Sequence, residues 1–208
     1  MRGPSFADVY VHGEEDEFDG DLRNAKLLGT FTGLSFDRRD LTGATLSGTF
    51  HKVSFNGAQL VNAKLIGTFI ECDFTGATLR GSKTRGEVDG ETKDGRFVHS
   101  PFVRAELSGA DLRGGIFYDA TFMGADFASA TLGAEGDGVS FQGANLVGAQ
   151  NLLEPQLRAA SRLRCSTLPN QKRYAGEYEL VGDIEDAIAK KVPINDSAAL
   201  KRFYEDCG

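Results

Sequence analysis

The stretch Gly29–Phe36, "GTFTGLSF", returns as "GTFHKVSF" at 48–55 and as "GTFIECDF" at 67–74. The three opening glycines are 19 residues apart, while the commonest beat around them is five: Phe36, Leu41, Leu46; Phe55, Leu60, Leu65; Phe74, Leu79. Two residues before each large apolar residue there is usually a small one, as in "GATL", "GAQL", "GADL" and "GANL". Side chains alternate along an extended backbone, so the small and large residues share one face. The Gly, Thr, Asn and Asp between them suit a corner. A period of five matches no helix. Four short extended sides joined by corners make a square coil of about twenty residues. The period of 19 is three sides of five and one of four, the short side running from Leu27 to Phe31, Leu46 to Phe50 and Leu65 to Phe69.

Written as coils, the inward residues are Leu22, Leu27, Phe31, Phe36; Leu41, Leu46, Phe50, Phe55; Leu60, Leu65, Phe69, Phe74; Leu79, Thr84, Phe97, Phe102; Leu107, Leu112, Phe117, Phe122; and Phe127, Leu132, Gly136, Phe141, with Leu146 and Asn151 ending the series. The chain is therefore expected to be an all-β solenoid, a quadrilateral parallel β-helix of about six to seven coils. Its stack is on the order of 30 Å long at one strand spacing per coil. Twelve of the fifteen phenylalanines fall on inward positions, in the third and fourth columns above all. The small residue before side three is Gly29, Gly48, Gly67, Gly95, Gly115 and then Ala134, and before side two Ala25, Ala44, Ala63, Ser82, Ala110, Ala130 and Ala149. Two positions depart from the rule. Arg39 stands in a small slot, as a distorted corner reaching water or as an ordered contact for a partner. Gly136 stands where side three calls for Phe.

These units resemble the A-[D/N]-L-x-x pattern of the pentapeptide-repeat proteins, and the resemblance covers about two-thirds of the chain. It implies a right-handed quadrilateral β-helix and says little of function. The ending "NLLEPQL…TLPNQKRYAGEYELVGDIEDA" is similar to one common among cyanobacterial members.

At 208 residues the chain is long enough for one sizeable domain. The net charge of -7 is uneven. Residues 1–17 carry one Arg against five acids, residues 18–151 carry 13 basic against 16 acidic groups, and the tail from Leu152 carries nine of each. Acidity argues against direct nucleic-acid binding, which needs clustered Lys and Arg, and against an anionic membrane surface. No apolar run reaches a membrane span and no signal-peptide core opens the chain, so a cytoplasmic location is expected. Cys72, Cys165 and Cys207 are odd in number and widely spaced, which suggests neither a disulfide framework nor a zinc site. Cys72 falls in the small column with Leu34, Val53 and Ser100 and reads as core filling.

From Thr84 to Phe97 the interval is 13, an insertion of nine. The inserted stretch, loop 85–95, is polar and bracketed by glycines, so it must leave the stack at a corner. Loops on rigid scaffolds often carry function, which makes Arg85, Glu87, Asp89, Glu91, Lys93 and Asp94 candidates for partner binding. The open ends of a β-helix need caps. Residues 1–17, with Phe6, Val9 and Val11, are expected to cover one end, and 152–208 the other. There "EPQLRAASRL" reads as a helix with Pro155 in its first turn, followed by "GDIEDAIAKK" and "NDSAALKRFYED", the latter capped by Asp196. This tail is also the candidate surface for a homodimer, a monomer being the alternative.

No enzymatic constellation emerges. His12, His51 and His99 fall in different repeat phases without a nucleophile in register. Asp and Glu read as a solvated outer face, and no phosphate loop, cofactor site or metal site is expected. The function expected is a non-enzymatic protein-binding scaffold. The alternative is a DNA mimic that protects or inhibits a type II topoisomerase such as gyrase, as the resemblance allows and as rod shape and acidity suggest. The coil region's charge of only -3 over 134 residues weighs against it.

Overall fold

A computed structural model describes residues 9–11, 21–88, 91–118, 120–122, 125–132 and 139–207. The strands are β1 (Val9–Val11), β2 (Lys26–Thr32), β3 (Thr45–His51), β4 (Lys64–Leu65), β5 (Thr68–Ile70), β6 (Arg85–Val88), β7 (Glu91–Asp94), β8 (Arg96–Val98) and β9 (Ile116–Tyr118). Three helices follow: α1 (Glu154–Arg158), α2 (Val181–Ala189) and α3 (Ser197–Glu205).

The chain is a parallel β-solenoid with a short helical C-terminal part. β1, β2, β3, β5, β8 and β9 pair in that order, every pairing parallel, with β4 also on β3. Registers join like to like: Leu27 with Leu46 and Leu65, and Phe31 with Phe50, Phe69, Phe97 and Phe117. Outside the strands, single parallel bridges carry the other sides, such as Asp40 with Gln59, Thr78, Glu106 and Asp126. The corners are turns in which the amide of the fourth residue reaches the carbonyl of the first, as from Ala25 to Leu22 and from Ala44 to Leu41. Their third residues, Asn24 and Gly43, have positive φ, which Asn and Gly adopt at least cost.

The short side of the 19-residue coil has a physical reason. β2 and β3 run unbroken through sides two and three, and the corner between those sides is one residue, Gly29 at φ 129° and Gly48 at φ 124°. A Cβ on Gly48 would run into the Gly29 carbonyl oxygen of the coil before it. One glycine thus replaces a turn, and the coil shortens by a residue.

The interior is apolar. Successive rings of the third column stack at 4.6–4.8 Å from Phe31 to Phe117, and those of the fourth at 4.6–5.4 Å from Phe36 to Phe122. Rings on adjacent sides meet edge to face, as Phe74 and Phe97 do at 72°. Each such pair adds about 0.5–1.5 kcal/mol beyond area burial. Cys72 and Ser100 are buried in the small column, and burial pushes the Cys72 thiol up to about 11.

After five regular coils the phase changes, which corrects the register read from the sequence. Ile116 bridges Ser140 and Thr121 bridges Asn145, so Phe141 continues side three and Leu146 side four. The Val139 amide bonds directly to the Leu132 carbonyl, and the inward residues Leu132 and Phe141 stand nine apart in the sequence. Gly136 and Ala134 themselves lie outside the described residues. Val139 takes the place expected of Ala134, and the Phe117–Phe141 pair is accordingly wider and tilted, 5.8 Å and 34°. Ala149 follows Ala125 on side one, since Asp126 bridges Gln150. Asn151 is exposed while Leu152 is buried in its stead.

In the final coil α1 serves as side two, burying Leu157. The expected helix over 154–163 stops at Arg158, because Ser161 bonds Val139 and Arg162 bridges Ser140, returning the chain to the ladder. Leu163 and Leu168 fill sides three and four. α2 and α3 lie beyond this coil and bury Ala187, Ala199, Phe203 and Tyr204. Asp196 caps α3 as its spacing predicts, accepting from the Ala198 and Ala199 amides at 2.9 and 3.1 Å. At the other end β1 adds a parallel strand beside Leu27–Gly29; Phe6 lies outside the described residues.

Two further expectations are overturned in this C-terminal part. Cys165 and Cys207, 42 residues apart, are joined in a disulfide with Cα atoms 5.5 Å apart. The odd cysteine count hid this pair because Cys72 belongs to the core. Asp183 is not on a solvated face but fully buried.

Candidate interaction surfaces on the coil walls

Because inward positions are spoken for by packing, function has the outward positions, the corners and the excursions to work with. Each side presents a column of outward residues one strand spacing apart, about 4.8 Å. The columns differ in chemistry. Side one carries Asp40, Gln59, Thr78, Glu106 and Asp126, side two Lys26, Thr45, Lys64, Lys83 and Asp111. Acidic and basic columns thus lie on neighbouring walls. Ion pairs at the corners are local: Arg23 holds Asp21 at 2.6 Å and Arg113 holds Asp111 at 2.6 Å. Hydrogen bonding from Arg23 draws the Asp21 carboxyl down to about 2, and Arg113 lowers Asp111 in the same way.

Side three changes along its length. Its first outward positions are Thr30, Thr49 and Thr68; the next are Arg96 and Ile116. The parallel column beside it runs from Thr32 and His51 to Ile70, Val98 and Tyr118. Tyr118 is 43% exposed, and His99 meets its ring edge-on at 6.0 Å. A shallow groove of about 430 Å³ opens here, lined by Arg96, Val98, Ile116, Tyr118, Gln142 and Arg162. The sequence signal was available: the first flank of the inward Phe is Thr in "TFT", "TFH" and "TFI", and only "IFY" places a β-branched and an aromatic residue on its two flanks.

The hairpin rises where side two should turn into side three. β6 and β7 pair antiparallel as a separate two-stranded sheet, Arg85 opposite Asp94, Gly86 opposite Lys93, Glu87 opposite Thr92 and Val88 opposite Glu91. Of the sequence candidates the structure brings Arg85 and Asp94 together, at 2.7 Å across the hairpin base. Glu87, Glu91 and Lys93 are placed by register on its arms, and Asp89 lies outside the described residues. The base rests on the coil rather than standing clear of it. A Cβ on Gly86 would touch the Ile66 side chain at 3.4 Å, and one on Gly114 would collide with Asp94 and Arg85. Ile66, an outward residue, is only 2% exposed. Thr84, where the hairpin leaves, sits buried in the leucine column and accepts from the Gly95 amide at 2.6 Å.

Arg39 is half-buried, its backbone amide bonded to the Phe36 carbonyl. His51 lies on β3 and His99 at a corner; His12 lies outside the described residues. Among the described residues no group of three or more His, Cys, Asp or Glu is placed to hold a metal ion. No helix among them is long and apolar enough to cross a membrane.

No curated protein matches the chain. Among solved structures it is similar to HetL, a pentapeptide repeat protein involved in heterocyst differentiation regulation from Nostoc sp. strain PCC 7120, at 19% identity over 72% of this chain and 93% of that one, TM-score 0.27. Full-length QnrB1, a plasmid-mediated fluoroquinolone resistance protein, gives 15% identity over 82% and 91%, TM-score 0.27. A pentapeptide repeat protein from the Arabidopsis thaliana thylakoid lumen gives 19% over 62% and 72%, TM-score 0.26. At such scores none of these likenesses bears on what this chain does. A family model for pentapeptide repeats, in eight copies, matches residues 102–134. Those residues complete side four of the fourth coil, the whole fifth coil and the start of the sixth. With the same five-residue unit building every regular side, the chain is a solenoid of pentapeptide repeats.

Proposed function

We propose that the protein is a non-enzymatic scaffold that binds a protein partner on side three of its coil, beside the 85–94 hairpin. The observation that carries this reading is the switch of that wall from threonine to Val98, Ile116 and Tyr118 where the groove opens. Aromatic and aliphatic residues exposed on a rigid surface are the usual anchors of protein interfaces. A stack of coils holds them without the ordering entropy that a loop would lose on binding. Arg85 and Asp94 fix the hairpin base at the edge of the same wall, so the candidate residues there would frame the contact.

The test is photo-crosslinking from position 118 and, as a control, from position 30 on the same wall, in extract of the source cells. A partner captured at 118 and not at 30, and lost in I116K, supports the proposal. Equal labelling from both positions contradicts it.

The DNA-mimic reading rests on the acidic column of side one. The lysines at 26, 64 and 83 on the adjoining wall oppose it, since a mimic of duplex DNA needs an unbroken negative surface. Micromolar protein should leave gyrase supercoiling and quinolone-induced cleavage unchanged. Inhibition of supercoiling would revive that reading.

A further inference from the structure

The Cys165–Cys207 bond joins the last coil to the residue next to the chain's end, and what surrounds it is asymmetric. Cys165 occupies a corner at φ 67° between the inward residues Leu163 and Leu168, anchored by the ladder. Cys207 follows α3 with no secondary structure of its own. Both residues are half-buried, within reach of an attacking thiolate. The neighbouring Arg164 is the other tie: its Nε donates to the Phe203 carbonyl at 3.0 Å, another of its nitrogens donates to the Asp206 carbonyl, and its guanidinium lies 4.4 Å from the Phe203 ring centre. Two consecutive residues of the coil, Arg164 and Cys165, therefore hold the end of α3. A helix of nine residues is marginal alone, and α3 buries only Ala199, Phe203 and Tyr204.

We infer that Cys165–Cys207 is a dithiol-exchange site, a redox latch that fixes α3 over the end of the coil and releases it on reduction. The reactant is a protein dithiol. Its thiolate attacks one sulfur, the S–S bond breaks and a mixed disulfide forms. The reactant's second thiolate then displaces the remaining cysteine. Two electrons and two protons pass to Cys165 and Cys207, which end as thiols, and the reactant ends as the disulfide. With the latch open, Arg164 and the ring contacts of Phe203 and Tyr204 with Lys190 and Tyr174 hold the tail, and α3 lifts often enough to expose Phe203 and Tyr204 at the end of the solenoid. Cys72 takes no part, since it is buried and its thiol is held protonated. The inference is independent of the partner proposed for side three.

The experiment uses the full chain purified without reductant, with dithiothreitol as the probe. Alkylation under denaturing conditions should find one free thiol before reduction and three after. Hydrogen exchange should then rise at least tenfold in 197–207 on reduction while β2, β3 and β5 stay unchanged, and the C165S/C207S variant should show the fast rate in either condition. Three free thiols in the air-oxidised protein would overturn the inference. So would unchanged exchange in α3 after verified reduction, or acceleration spread evenly over the coils, which would make the bond a general staple.

Discussion

Between Leu22 and Phe122 the interior is closed by repetition: each Leu or Phe after the first coil lies on its own kind, except Leu112 on Thr84, and the ladder supplies the hydrogen bonds. Beyond Leu168 nothing repeats, and the interior is closed by individual polar devices. Asp183, buried, accepts from the Leu163 amide at 3.2 Å and the Arg164 amide at 3.1 Å. Arg164 and the disulfide hold α3, and Tyr174 meets Tyr204 edge-on at 5.7 Å. A coil can spread a defect over its neighbours, whereas each device in the cap acts alone. The coil should therefore fail as a unit and the cap one piece at a time.

The largest effect should come from the coil. Phe55 stacks on Phe36 and Phe74 and touches Phe50 and Phe69. Phe55→Ala should cost about 3–5 kcal/mol in a denaturant melt and lower the whole transition; a loss confined to one segment would break the comparison. Next, C165S/C207S removes a loop closure over 42 residues of separation, worth at most about 4 kcal/mol in the chain-entropy model. That loss should appear as an early transition in near-ultraviolet circular dichroism of the tyrosines, with the β signal intact.

The third effect is one of pH. Burial raises the Asp183 carboxyl to about 6, helped by Asp186 and opposed by the two amide hydrogen bonds and by Arg162. An unfolded Asp titrates near about 3.9, so the folded cap holds this proton more tightly. Its contribution is fully present below about pH 4 and is lost as pH rises through about 6. Two units correspond to roughly 3 kcal/mol at most. The cap transition should move up as pH falls from 7 to 5, and Asp183→Asn should flatten that dependence. The smallest effect belongs to the hairpin. Deleting Gly86–Asp94 restores the four-residue step from Thr84 to Phe97 seen in the first three coils. It uncovers Ile66 and should cost about 1 kcal/mol, by area lost from burial; a collapse of the coil would show that the hairpin is structural.

The same contrast explains what could be read in advance. Leu27, Phe31 and Phe36 announce the fold because a side chain in a stack must agree with its neighbours above and below, and agreement leaves a period. The nine-residue step from Leu132 to Phe141 is not a multiple of the five-residue beat, so the sequence reading places Phe141 and Leu146 one side late. The pairing of Cys165 with Cys207 and the burial of Asp183 rest on contacts about 20 to 40 residues apart that no period records. The hairpin was visible as a break in rhythm, though its antiparallel register and its rest on Ile66 were not. Tyr118 leaves no mark on the period, because it is an outward residue beside the inward Phe117.

The parallel register along side three, and its continuation into Phe141, is the claim on which the remaining ones depend. Backbone proton contacts measured by nuclear magnetic resonance test it directly. The account predicts cross-strand contacts running Phe31, Phe50, Phe69, Phe97, Phe117 in order, with Ser140 beside Ile116. Ser140 beside Thr121, or a break in the series before Phe117, would contradict it.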